Sequence, residues 1–103
     1  MNDVSWTIPD NHPSFLGHFP NAPILPGVVI LDKAINLLSR ALAQPYASFV
    51  IKNAKFFRPL LPASEVVFSF QFNQNNQVNI SLHEGEYLVL KCLVALPVEH
   101  QLS

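Results

Sequence analysis

The feature that most constrains this fold is an apolar run at residues 28–44 that contains neither glycine nor proline. Its apolar side chains recur at helical spacing along two neighbouring stripes. The first stripe contains Val28, Leu31, Ile35, Leu38 and Leu42, and the second contains Ile30, Ala34, Leu37 and Ala41. Because a helix with this much apolar surface is normally buried, we expect the rest of the chain to enclose it.

The remaining segments are typical of β-strands. We predict a short strand before the helix and four strands after it, at residues 4–8, 48–58, 65–72, 77–83 and 86–96. Turn residues separate the last three strands, and we expect the four strands after the helix to follow one another in hairpin-like succession. Such a meander covers a single helix on all sides only if the sheet curls around it. The prediction is an α+β fold with one long central helix wrapped by a curved antiparallel sheet.

Composition limits the classes of protein that this chain can belong to. A length of 103 residues predicts one domain, residues 1–103, and a net charge of −1 with six Lys and Arg argues against nucleic acid as a ligand. The single cysteine, Cys92, excludes an intramolecular disulfide framework and fits a reducing compartment. We find no signal peptide and no apolar stretch of membrane-spanning length, and we therefore expect a soluble cytoplasmic protein.

Three residues around the start of the helix carry the groups needed for proton transfer. His18 lies in the proline-rich segment before the helix, and an imidazole exchanges protons near neutral pH. Gly27 opens the helix, where unpaired N–H groups carry partial positive charge. Asp32 lies in an otherwise apolar helix, where burial would raise the pKa of its carboxyl and suit it to donate a proton. A loop histidine and a helical aspartate are more often structural, so these residue types alone decide nothing.

The surrounding sequence gives this site its weight. The stretch GHFPNAPILPGVVILDKAIN resembles the signature of bacterial 3-hydroxyacyl-ACP dehydratases of the FabA/FabZ type, and AKFFRPLLP resembles a second family segment. The resemblance spans roughly residues 11–96 and implies the hot-dog fold. FabZ-type members usually carry Glu where this chain has Asp32, whereas FabA-type members carry Asp. The chain also departs from the family at Asn21, Asn36 and Ala63, which replace residues that are commonly Gly, Gln and Gly.

The resemblance implies elimination of water from a 3-hydroxyacyl thioester on acyl carrier protein or coenzyme A. In that reaction His18 is the base, the Gly27 N–H holds the thioester oxygen, and Asp32 is the acid. It also implies a homodimer or dimer of dimers in which the histidine of one subunit meets the acid of the other. The residues expected to contact substrate are Phe15, Phe19, Pro26, Val28, Asn36 and Phe57, with Phe56 a further candidate for the acyl channel wall.

Other functional readings remain open at this level. A hot-dog thioesterase would also use a helix start and a carboxylate, and a non-catalytic subunit could pair with an active dehydratase. Lys52, Lys55 and Arg58 could meet an acidic carrier protein or form a solvated strand face. We expect no cofactor, and no metal, since His12, His83 and His100 form no cluster at ligand spacing.

Overall fold

The computed structural model describes residues 3–9 and 24–97. In that part of the chain one α-helix, one 3₁₀ turn and five strands follow each other. Their order is β1 (Val4–Thr7), α1 (Gly27–Leu42), the 3₁₀ turn (Tyr46–Ser48), β2 (Val50–Phe56), β3 (Glu65–Phe72), β4 (Gln77–Glu84) and β5 (Tyr87–Ala95). The predicted elements are all present, with ends that differ from the prediction by a few residues.

The five strands form one antiparallel sheet in the order β1-β3-β4-β5-β2. Strands β3 to β5 form the predicted meander. The expected hairpin-like succession is wrong for β2, which pairs with β5 instead of with β3, the next strand along the chain. The connection between β2 and β3 contains Pro59 and Pro62. It joins two strands that are separated in the sheet by β4 and β5. As a result β2 lies at one edge of the sheet and β1 at the other.

Alternation along β3 and β4 produces the sheet side of the core. Val78, Ile80 and Leu82 of β4 are at most 1% exposed, and their neighbours along the strand face outward. Phe68 of β3 is fully buried, whereas Phe72, predicted to share its face, is 39% exposed at the end of the strand. Cys92 is a buried core residue as predicted, and burial raises the pKa of its thiol to about 11.

Two register shifts interrupt the ladders. Lys52 has no partner between Ile51 and Asn53 of β2, and Val89 is the extra residue where β5 pairs with β4. The second bulge turns two successive residues inward, so Val89 and Leu90 are both fully buried. Each bulge is therefore a local exception to the two-residue period of the sheet.

Helix α1 packs on the sheet with one face only. Ile30, Ala34, Ile35 and Leu38 join the core cluster formed by the strands, whereas Val28 is 72% exposed. The expectation of a helix buried on all sides is wrong for the single chain, because the buried residues of both stripes form one face and the opposite side of the helix is left uncovered. No helix in the described ranges is long and apolar enough to cross a bilayer.

Candidate active site

The start of α1 presents main-chain donors without a capping side chain. Pro26 is the N-cap, with φ −60° and ψ 142°, and it offers no side-chain hydrogen bond to the first turn. The first turn also holds no acidic residue, and the Val29 N–H bonds back to the Pro26 carbonyl at 3.0 Å. Leu25 is buried and donates its N–H to the Leu60 carbonyl at 2.8 Å, which fixes where the helix begins. The first N–H groups thus keep their partial positive charge for an external oxygen.

Position 27 has to lack a side chain because of a neighbouring residue, as well as to let a ligand approach its N–H. A Cβ atom at this position would lie 2.9 Å from Cζ of Phe56, at the end of β2. The Phe56 ring therefore packs directly against the helix start. The sequence suggested only that a ligand approaches Gly27, and the close contact with Phe56 is a second reason for a residue without a side chain.

Asp32 is exposed in the protomer, so this chain alone does not supply the burial expected for it. It projects from the side of α1 that the sheet leaves uncovered. Each carboxylate oxygen nevertheless accepts one hydrogen bond, since Tyr46 donates to Oδ1 at 2.9 Å and Asn36 donates to Oδ2 at 3.1 Å. The Asn36 amide also donates to the main-chain carbonyl of Asp32 at 2.9 Å. Asp32 and Asn36, one helical turn apart, are thus in direct contact.

Tyr46 is the polar contact that sequence reasoning missed. It lies beyond the end of α1, where nothing in the local pattern links it to Asp32. Its hydrogen bond to Asp32, then burial, then the carboxylate charge raise the pKa of the Tyr46 hydroxyl above its ordinary value. The phenol therefore stays protonated and remains a donor at physiological pH.

The other predicted site residues occupy three separate places. Pro26 and Val28 flank Gly27 at the helix start. Phe57, just past the end of β2, is 45% exposed, and Nζ of Lys55 lies 5.3 Å from its ring centroid. The remaining residues singled out from the sequence lie outside the described residues. They are the predicted base His18, the substrate-contact candidates Phe15 and Phe19, Asn21, and the histidines His12 and His100.

A polar cleft of about 250 Å³ borders Asp32 along the side of the helix that faces β1. Trp6 forms one wall, and the Lys33 ammonium lies 5.5 Å from the centroid of its ring. Asn36 and Arg40 line the same space. The acid candidate therefore opens onto a mixed polar and apolar groove that does not extend into the core.

Comparison with known proteins places this site in a family. A family model described as "ApeI-like: ApeI dehydratase" matches residues 2–89. The chain belongs to the ApeI-like dehydratase family. The predicted resemblance to hot-dog dehydratases is thereby confirmed, and the matched region includes the whole segment from His18 to Asn36.

Curated relatives of this ApeI-like chain carry a dehydratase name. It is 38% identical over 94 residues to the 3-hydroxyacyl-[acyl-carrier-protein] dehydratase FabZ of Brucella ovis, covering 80% of this chain and 59% of the relative. It is 41% identical over 71 residues to the FabZ of Actinobacillus pleuropneumoniae, covering 60% and 46%. The chain therefore spans about three-fifths or less of the length of these relatives.

Solved structures agree on the fold. The dehydratase heterocomplex ApeI:P from Xenorhabdus doucetiae superposes with a TM-score of 0.74 at 19% identity, covering 92% of this chain and 85% of that one. The (R)-hydratase from A. caviae involved in PHA biosynthesis gives 0.57 at 14% identity, with 93% coverage of both. These likenesses confirm the predicted α+β hot-dog fold.

Proposed function

We propose that this protein dehydrates 3-hydroxyacyl thioesters to trans-2-enoyl thioesters in fatty-acid or polyketide-type biosynthesis. The observation that carries the proposal is the pair of groups in the first half of α1: an uncapped start at Gly27 and, farther along, a hydrogen-bonded carboxylate at Asp32. An anion-stabilising helix start and a proton donor are what elimination next to a carbonyl needs. The names of the FabZ relatives support the same reaction.

The proposed reaction uses each group once. His18 removes the C2 proton, and negative charge develops on the thioester oxygen near the N–H groups at Gly27. The C3–O bond then breaks as Asp32 gives its proton to the departing hydroxyl, and the C2–C3 double bond forms. Water leaves, and the proton held by His18 returns to Asp32 through solvent. The cycle closes without an oxidant, a metal or an organic cofactor.

The proposed catalytic unit is a homodimer or a dimer of dimers. Two observations support it: Asp32 lies on an uncovered helix face, and every residue of the edge strand β2 is exposed. Val50 and Ile51 are 55% and 40% exposed, which is costly for an unpaired edge in water. A second copy pairing there would cover both surfaces and bring one subunit's His18 to the other's Asp32.

The substrate carrier in this proposal is acyl carrier protein or coenzyme A, in the cytoplasm. Lys52, Lys55 and Arg58 are all exposed, and they offer positive charge to an acidic carrier protein or to phosphates. Phe56 and Phe57, both more than 40% exposed, are proposed to contact the acyl chain.

A second candidate is a subunit that supports an active dehydratase in a mixed complex. The ApeI:P neighbour is by its name a heterocomplex, and the present chain spans only part of its FabZ relatives. In that case the purified chain alone would be inactive, and addition of its partner would restore turnover without any need for Asp32.

The test is turnover of a 3-hydroxyacyl thioester by the purified chain, followed as a rise in enoyl absorbance. We expect His18→Ala and Asp32→Asn each to lower kcat by about 10² to 10⁴-fold, the range of general acid–base catalysis. His83→Ala is the control, since His83 lies on β4 and is expected to keep full activity. Near wild-type rates in either site variant would refute the assignment, and thiol release without enoyl product would indicate a thioesterase.

A further inference from the structure

We propose that Tyr46 is the positioning residue for the acid: its hydroxyl donates a hydrogen bond to Oδ1 of Asp32 and so holds the carboxyl group in one orientation for proton exchange with the substrate. This inference rests on the proposed dehydratase function and adds to it a residue outside the dehydratase-like motif. The supporting observation is the 2.9 Å hydrogen bond from the Tyr46 hydroxyl to Oδ1.

The chain reverses direction immediately after α1. Ala43 adopts the left-handed conformation, with φ 52° and ψ 45°, and its N–H bonds to the Ser39 carbonyl. The Ser39 hydroxyl in turn donates to the Gln44 carbonyl at 2.6 Å. This closed pair of contacts turns the chain back along the uncovered side of the helix, where Asp32 lies.

The 3₁₀ turn then holds Tyr46 in place. Ser48 donates both its N–H, at 3.0 Å, and its hydroxyl, at 2.6 Å, to the Pro45 carbonyl. The Phe49 N–H bonds to the Tyr46 carbonyl at 3.3 Å, and the Phe49 side chain is buried in the core. Proline before Tyr46 and a core anchor after it leave the phenol few alternatives to its contact with Asp32.

The two oxygens of Asp32 have different partners. The Asn36 amide nitrogen faces the main-chain carbonyl of Asp32, which can only accept, and this fixes the amide as a donor toward Oδ2 as well. The contact with Oδ2 is the longer one, at 3.1 Å against 2.9 Å from Tyr46 to Oδ1. Each oxygen thus accepts one hydrogen bond, and the two donors together fix the plane of the Asp32 carboxyl group.

Tyr46 remains a donor across the working pH range. The hydrogen bond with Asp32, burial and the carboxylate charge all raise the pKa of the phenol. The phenol proton is held in the hydrogen bond to Oδ1, so Tyr46 acts through Asp32. The benefit is orientation, because Asp32 lies on an exposed helix face and its carboxyl group is held by hydrogen bonds instead of by burial.

The first experiment compares Tyr46→Phe with Tyr87→Phe, using a 3-hydroxyacyl-coenzyme A as substrate. The chain has two tyrosines, and both are exposed. We expect Tyr46→Phe to lower kcat by about tenfold, the size of one lost hydrogen bond to a charged group, with KM changed less than about twofold. Tyr87→Phe is expected to match the wild type. An unchanged kcat for Tyr46→Phe would overturn the proposal while leaving the dehydratase function intact.

A double-mutant cycle separates positioning from a general structural role. If Tyr46 acts only through Asp32, then Tyr46→Phe has no further effect on the residual rate of Asp32→Asn. A drop of the same size in both backgrounds would assign Tyr46 a structural role and refute the proposal. Thermal unfolding of each variant checks that the fold is retained.

A spectroscopic titration tests the contact without any activity. In a Tyr87→Phe background Tyr46 is the sole tyrosine, and its ionisation is followed by absorbance. We expect Asp32→Asn to lower the pKa of Tyr46 toward about 10, the ordinary value of a phenol. An unchanged pKa would show that the two side chains do not interact in solution. If the wild type has no dehydratase activity but the pKa falls, the proposed function fails and the contact stands.

Discussion

Strands β2 and β4 belong to the same sheet but differ in what covers them. The inward residues Val78, Ile80 and Leu82 of β4 are at most 1% exposed, whereas all seven residues of β2 are exposed. Strand β4 has a neighbour on each side, and β2 pairs only with β5. The core of the protomer therefore stops one strand short of the sheet's edge.

The same division runs along α1. Ile30, Ala34 and Leu38 point into the core, while Val28 and Asp32 lie on the exposed stripe. The residues that stabilise the protomer and those proposed for chemistry thus occupy opposite sides of one helix. The difference teaches that stability resides in the meander side, and that the proposed assembly and catalysis would depend on the uncovered side.

The largest expected effect comes from truncating matched isoleucines on the two strands. Ile80→Ala should lower the free energy of unfolding by about 2–5 kcal/mol, because it leaves a cavity in the core. Ile51→Ala, on β2, should cost about 1 kcal/mol or less, since that side chain is 40% exposed. Urea unfolding at a concentration where the chain is monomeric measures both. Equal losses would remove the distinction between the strands.

A smaller effect is expected on association. Val50→Glu places two like charges at a two-fold interface through β2, and we expect the dimer dissociation constant to rise about tenfold or more. Val67→Glu is the matched control, an exposed valine on β3 away from that edge. Sedimentation equilibrium distinguishes them. If both variants associate like the wild type, β2 does not form the interface.

The smallest effect concerns the connection that joins β2 to β3. Ala63 has φ 66°, a left-handed conformation that disfavours side chains, at the position where the resembling family commonly has Gly. Ala63→Gly should therefore raise the free energy of unfolding by about 0.5–1 kcal/mol, seen as a higher Tm. Ala54→Gly in β2 should act in the opposite sense, because glycine weakens an extended strand. A lower Tm for Ala63→Gly would contradict this account.

Much of the fold could be predicted because periodicity reports local structure. The helix and the alternating strands β3 and β4 follow directly from spacing, and the hairpins follow from their turn residues. The position of β2 beside β5 could not be predicted, since no local pattern states which strand a segment will pair with. Exposure of Val28 was missed for a related reason, because an apolar stripe does not reveal whether this chain or another one covers it.

The contacts of the candidate site also divide into those that local sequence predicts and those that depend on the tertiary fold. Asp32 and Asn36 are one helical turn apart, so spacing alone predicts their contact. Tyr46 reaches Asp32 only because the chain reverses at Ala43, which has a left-handed conformation. Glycine usually occupies such a position at a helix end, so an alanine there gave no signal of the reversal. Phe56 against Gly27 is a contact between the helix start and a strand formed later in the chain, and it depends on the tertiary fold.

The bulge at Lys52 also affects how the sheet can grow. An edge strand with a bulge accepts a partner in a restricted register, and the two charged residues Lys52 and Lys55 oppose stacking of further chains. In the proposed dimer through β2, the edges left on the described sheet would be the four-residue strands β1. A third chain would then have little backbone to pair with, so this sheet would not extend by edge pairing beyond two copies.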